Sequence, residues 1–161
     1  GFVMDFHGLQ TKDISSILLI NQEGLPGTGE ISEEEIADLL TLTELALGAY
    51  VENELVGFVL CLPPKTRYGS LNYAWFNQRY EEFLYVDRIA VSEKHRNCMI
   101  GSQLYKEVIA HAKQKNCPIA AEVSLKPPNI DSMRFHERHG FNEIGELHHE
   151  SKSVTMMMRL S

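Results

Sequence analysis

The stretch from Ile100 to Lys115 does most to limit what this chain can become. Ile100, Leu104, Val108 and Ala112 recur at helical spacing and form one apolar stripe, with Tyr105 and Ile109 beside it. Lys113 and Lys115 suit the negative end of such a helix, and Pro118 bars its continuation. A β-prone run stands on each side, Phe83 to Val91 before the helix and Ile119 to Leu125 after it. Strands alternating with a long amphipathic helix specify an α/β chain.

The remaining elements follow the same reasoning. Val3 to Phe6 reads as a short strand and Thr11 to Ile20 as a helix, with Ile14, Ile17 and Leu18 on one side. Ser32-Glu33-Glu34-Glu35 is a capping box that opens a second helix. Leu45 to Val51 and Leu55 to Leu62 form a hairpin around Glu52-Asn53-Glu54, although its turn lacks glycine. Pro63 to Gln78 is expected to be an irregular aromatic connection carrying Tyr68, Tyr73, Trp75 and Phe76. Asn129 or Asp131 caps a short helix that stops at Gly140, a good left-handed terminator. Phe141 to Leu147 and Ser153 to Leu160 then make an antiparallel pair, with Met156-Met157-Met158 alternating between core and surface. The fold class expected is α/β (α+β), with a mixed, largely antiparallel central sheet. The 161 residues contain no repeat, low-complexity tract or linker, so residues 1–161 are expected to form one domain.

Composition narrows the function. A net charge of −7 argues against a nucleic-acid surface, which shows a basic stripe. No apolar run is long enough to span a bilayer, so no membrane partner is expected. The chain starts at Gly1 with no basic stretch leading into an apolar one, so no secretory signal is expected and Met4 is one conceivable native start. Cys61, Cys98 and Cys117 are odd in number and suit neither a zinc ribbon nor a disulfide scaffold. A reducing cytoplasm is the simple reading. A homodimer is compatible with all of this.

Chemistry concentrates in two clusters. Between Val86 and Ser102 a strand, a polar loop and a helix start follow one another. A helix N-terminus presents unpaired N–H groups and a positive dipole end, both of which attract phosphate. Gly101 would let an anion approach the backbone, and Arg96 adds a mobile positive charge. An ordinary strand–loop–helix connection with a solvated Arg96 is the competing account. The second cluster runs Asn129-Ile130-Asp131-Ser132-Met133-Arg134-Phe135-His136-Glu137-Arg138-His139-Gly140-Phe141.

Together the two clusters resemble the GNAT superfamily of N-acetyltransferases. Its loop pattern, Arg/Gln-x-x-Gly-x-Gly/Ala after an Ile-Ala-Val-like strand, corresponds to Arg96 to Gly101 after Ile89-Ala90-Val91. Its later pattern, Asn-x-x-Ala/Ser-x-x-Phe-Tyr-x-x-x-Gly-Phe, corresponds to Asn129 to Phe141. The resemblance implies acetyl-CoA as co-substrate, no metal, and a pair of strands around Ile89 and Val123 that splay to hold the coenzyme arm. Ile89, Ala90 and Val91 would then offer backbone groups to the pantetheine and the thioester carbonyl. Arg96, Asn97, Cys98, Met99, Ile100, Gly101 and Ser102 would hold the pyrophosphate, while Asn129, Ser132 and Phe135 flank the distal arm. Two positions depart from the pattern. Met99 replaces the first loop glycine, and His136 stands where many relatives carry the tyrosine that protonates the departing thiolate.

The amine must lose a proton, and three carboxylates compete for it. Asp87 shares strand parity with Tyr85, Ile89 and Val91, so these side chains lie on one face. It is either the base or half of a salt bridge within the sheet. Glu122 is the rival base and Glu82 a weaker one, and a water chain would also serve. His136 is either a general acid or a buried helix histidine. His136, His139, His148 and His149 complete no metal-ligand spacing, and Cys98 is read as incidental. The activity implied is acetyl transfer to a small primary amine, with the aromatic connection walling the acceptor pocket. Its alternatives are an acyl-CoA sensor without catalysis and a protein or peptide N-acetyltransferase.

Overall fold

A computed structural model describes residues 3–150 and 152–160. Its strands are β1 (Met4–Gly8), β2 (Leu45–Val51), β3 (Glu54–Leu62), β4 (Leu84–Val91), β5 (Ile119–Lys126), β6 (Asn142–His148) and β7 (Ser153–Arg159). The α-helices are α1 (Ile14–Glu23), α2 (Glu33–Leu42), α3 (Leu71–Arg79), α4 (Ile100–Lys115) and α5 (Ile130–Arg138), and short 3-10 turns precede α1 and α4. The strand order is β1-β2-β3-β4-β5-β7-β6. Four of its ladders are antiparallel and β4–β5 is parallel, as the mixed-sheet reading expects.

The chain forms two compact units. One contains the residues up to Leu62 with Asp87–Val108, and the other Pro63–Val86 with the residues from Ile109 onward. Neither is a continuous stretch of chain.

In the first unit, the Ser32 hydroxyl accepts from the Glu35 N–H at 3.1 Å, and the Glu35 carboxylate accepts from the Ser32 N–H at 3.0 Å. The predicted capping box therefore starts α2, which buries Ile36 and Leu39. The β2–β3 hairpin closes without glycine because Glu52 and Asn53 both take positive φ, 50° and 66°, between the paired residues Val51 and Glu54. That is the backbone twist a two-residue hairpin requires. β3 is buried from Leu55 to Leu62. A Cβ at Gly57 would lie 3.0 Å from Ile100 and 3.3 Å from the Ala90 carbonyl, so this glycine lets β3 approach the start of α4.

The second unit holds the largest correction. Residues 71–79, expected to be irregular, form α3. Ser70 caps it, its hydroxyl accepting from the Tyr73 N–H at 3.2 Å. Tyr73 and Phe76, three apart, are buried and pack against Phe83 and Tyr85 at centroid separations of 5.2–6.3 Å. Aromatic residues are middling helix formers, and here tertiary burial outweighs propensity. The methionine run is corrected as well. Met156, Met157 and Met158 are all buried on β7, which lies between β5 and β6. Asn129, not Asp131, caps α5, its Oδ1 accepting from the Ser132 N–H at 3.1 Å. Gly140, at φ 86°, terminates that helix as expected.

Candidate active site

The loop before α4 belongs to the first unit. Asn97 and Met99 both sit in the left-handed region, at φ 66° and 64°. Met99 therefore takes the conformation that suits glycine, and its side chain turns outward, 67% exposed. The Gln103 N–H bonds to the Met99 carbonyl at 3.0 Å. The N–H groups of Ile100, Gly101 and Ser102 precede that bond and open the 16-residue α4 with no intrahelical acceptor. Ile100 is buried and anchors the turn, while Cys98 is exposed and its thiol lies 3.7 Å from the Arg96 carbonyl. The Arg96 guanidinium donates to the Glu23 carbonyl at the end of α1, at 2.9 Å.

Asp87 forms an ion pair with Arg88, its neighbour on β4, at 2.7 Å. The salt-bridge account of Asp87 thus holds, with a partner on its own strand. The side chains of Arg88 and Asp87 are 9% and 5% exposed. Asp87 as a whole residue is nonetheless half-buried, so its open surface is backbone. Arg88 also donates to Asn21 Oδ1 at 3.0 Å and to the Gly29 carbonyl at 3.1 Å, tying β4 to the segment after α1. Ile89, Ala90 and Val91 complete the strand. The β4–β5 ladder contains only Leu84↔Ile119 and Tyr85↔Ala120, although each strand has eight residues.

The second unit places a carboxylate among donors. Glu122 on β5 accepts from the Tyr85 hydroxyl at both oxygens, at 2.8 and 2.9 Å, and from the Asn72 amide at 3.2 Å. The Asn72 oxygen in turn lies 3.0 Å from His149 Nε2. Strand parity hinted at Tyr85. Asn72 and His149 carried no sequence signal, since the segment holding Asn72 read as irregular and the paired histidines read as solvated.

His136 is buried on α5 between Phe135 and Phe141, with ring centroids 5.6 and 5.2 Å away. Its Nδ1 lies 2.8 Å from the Ser132 carbonyl. A carbonyl only accepts, so Nδ1 carries the proton. Burial pushes its pKa below the usual histidine value, helped by nearby His139 and opposed by the Ser132 bond. Phe135 also stacks against His139 at 4.6 Å, so α5 keeps Asn129, Ser132, Phe135 and His136 on one short helix. Among the described residues no group of three or more His, Cys, Asp or Glu could hold a metal ion, and no helix is long and apolar enough to cross a membrane.

The sequence model of the family described as "Acetyltransferase (GNAT) family" matches residues 17–141. No curated protein matches the chain by sequence. The fold is similar to that of Arabidopsis thaliana NAA60 in complex with acetyl-CoA (TM-score 0.79, 16% identity, covering 99% of this chain and 100% of that one). It is also similar to Ard1 from Thermoplasma volcanium (0.78, 21%, 97% and 96%). A third similar structure is the ribosomal-protein-S18-alanine N-acetyltransferase from Escherichia coli (0.76, 16%, 98% and 93%).

Proposed function

The chain belongs to the GNAT acetyltransferase family, and from that premise we propose that it transfers an acetyl group from acetyl-CoA to a primary amine. The carrying observation is the turn at residues 96–102, with two left-handed residues leading into the start of α4. Its N–H groups and the helix dipole suit the pyrophosphate, and Arg96 can exchange the Glu23 carbonyl for a phosphate oxygen. Asn97, Cys98 and Met99 shape the turn, and Ile100, Gly101 and Ser102 supply the donors. In this reading backbone groups of Ile89, Ala90 and Val91 serve the pantetheine arm and the thioester carbonyl. Asn129, Ser132 and Phe135 flank the distal arm.

Acetyl-CoA supplies the activated acyl group. The amine forms the new C–N bond, the C–S bond breaks, and the coenzyme leaves as a thiolate that takes a proton from solvent. Glu122 takes the proton from the amine in this reading, because its donors hold the carboxylate in a fixed position. Asp87 serves as the strut that holds Arg88. His136 serves in packing, since its N–H is engaged by Ser132.

The acceptor follows from what the aromatic residues do. A wall for a small amine was expected from the segment Tyr68 to Phe76, but Tyr73 and Phe76 are buried, Trp75 packs over Gly145, where a Cβ would lie 2.8 Å from the indole, and Tyr68, half-buried, lies against Tyr73. A peptide α-amine is therefore the favoured acceptor. The name of the Escherichia coli S18-alanine enzyme speaks for the same class, as does a similar Arabidopsis thaliana Naa50 structure with the bisubstrate analogue CoA-Ac-MVNAL. Thiol release from acetyl-CoA with peptides bearing free or blocked N-termini, set beside small amines, tests this. Turnover with free-ended peptides alone supports the peptide class, and turnover with small amines alone reverses it. Replacing Gly101 by a bulky residue should abolish coenzyme binding, and unchanged binding would count against the phosphate turn.

A further inference from the structure

We propose that Asn72 is a positioning residue for Glu122 and that His149, which follows β6, holds the Asn72 amide in place. The inference rests on the reading of Glu122 as the base.

The geometry is a chain of obligate donors and acceptors. An ionised carboxylate only accepts, so the Asn72 group facing Glu122 Oε1 at 3.2 Å is its NH2. Oδ1 then faces His149 Nε2 at 3.0 Å, and that nitrogen must carry the proton. Flipping the amide would set oxygen against carboxylate and N–H against N–H. The histidine N–H therefore reinforces the amide orientation that the carboxylate requires. An amide does not pass protons readily, so this link orients the carboxylate and does not act as a proton wire.

Tyr85 alone cannot do this. Its hydroxyl reaches both carboxylate oxygens almost equally, at 2.8 and 2.9 Å, and does not distinguish them. Asn72 meets Oε1 and breaks the symmetry. Asn72 is itself fixed as the second residue of α3, beside the Ser70 cap and the buried Tyr73, whose ring lies 5.2 Å from that of Tyr85. The His149 backbone N–H donates to the Lys152 carbonyl at 2.7 Å and fixes the main chain there. Among the groups facing Glu122 are the Tyr85 hydroxyl from β4 and the Asn72 amide from α3. Its register partner on β7 is uncharged Met156, and His149 stands one hydrogen bond further out.

The test titrates the Glu122 carboxylate by 13C NMR in the full chain, its resonance assigned by loss in Glu122→Gln. Asn72→Asp is nearly isosteric but sets a second negative charge beside Glu122. The titration midpoint should rise by about one pH unit or more, with the melting temperature little changed. His149→Phe frees the amide and should raise the midpoint by a smaller amount, whereas His149→Gln, which keeps an N–H donor, should hold it near the wild-type value. A wild-type midpoint in Asn72→Asp overturns the proposal. In parallel, the acid limb of kcat/KM for acetyl-CoA and a free-ended peptide should follow the NMR midpoint. Undiminished kcat/KM in Glu122→Gln would instead overturn the base reading, and this inference with it, through a separate measurement.

Discussion

The Tyr85 hydroxyl donates to both oxygens of Glu122, at 2.8 and 2.9 Å, two residues past the point where the β4–β5 ladder ends. A side-chain bond thus continues a strand contact that the backbone has given up, and it holds a carboxylate by the group that would otherwise rotate freely. Glu122→Gln should lower kcat by about 10²- to 10⁴-fold, the range for removing a positioned general base. Tyr85→Phe should lower it less, with an accompanying stability loss of about 1 kcal/mol for the lost bond. Steady-state kinetics beside denaturant unfolding separates the two effects.

Met99 is an exposed residue in a left-handed turn. Relief of that conformation contributes roughly 1–2 kcal/mol, from which the greater freedom of glycine in the unfolded chain subtracts roughly 0.5–1 kcal/mol. Met99→Gly should therefore raise stability by less than about 1 kcal/mol and leave coenzyme affinity unchanged or tighter. Met99→Val should lower both, because a β-branched side chain resists positive φ. Thermal melts and calorimetric titration with coenzyme A read the pair.

Arg88 joins Asp87, Asn21 and Gly29 through a guanidinium that is almost fully buried. Arg88→Ala leaves the Asp87 charge without its partner and should cost about 3–5 kcal/mol. Arg88→Lys keeps the charge but loses the fork that reaches two elements at once, and should fall between the two. Equilibrium unfolding in urea measures both.

His136 gives a pH dependence whose sign follows from burial. Its pKa in the folded chain lies below the reference value of 6.5, so the unfolded chain binds its proton first as pH falls. Its contribution to stability is complete above about pH 6.5 and is lost as pH falls toward the folded value. The wild type should therefore lose stability between about pH 6.5 and 5 more steeply than His136→Phe does. Unfolding midpoints across that range provide the check, and parallel slopes would show that the histidine contributes nothing.

The elements legible in the sequence were those whose signals are local. The Ser32 capping box, the α4 stripe, and the stop at Gly140 each depend on residues within a few positions of one another. Helix α3 was not legible, because Tyr73 and Phe76 are helical through packing on Phe83 and Tyr85 and not through propensity. The burial of all three methionines means that side chains on both faces of β7 are covered, which alternation along one strand does not reveal. The site divides in the same way. The turn at residues 96–102 is contiguous, and the departure at Met99, now seen at positive φ, lay in plain view in the sequence. The Glu122 network joins residues 37 and 50 positions apart, and its Asn72 and His149 lie in segments with no pattern of their own. Asp87 was read as either a base or half of a salt bridge within the sheet, and its neighbour Arg88 was not foreseen as the partner, because adjacent residues on a strand usually point apart.

The most direct test of the account is mass spectrometry of a peptide with a free N-terminus after incubation with acetyl-CoA and the protein. The account predicts a gain of one acetyl group on the α-amine, matched by one equivalent of free coenzyme thiol, and a loss of both in Glu122→Gln. Tight coenzyme binding with no acetylated product from any peptide or small amine would contradict it, and would identify the chain as a binding domain without catalysis.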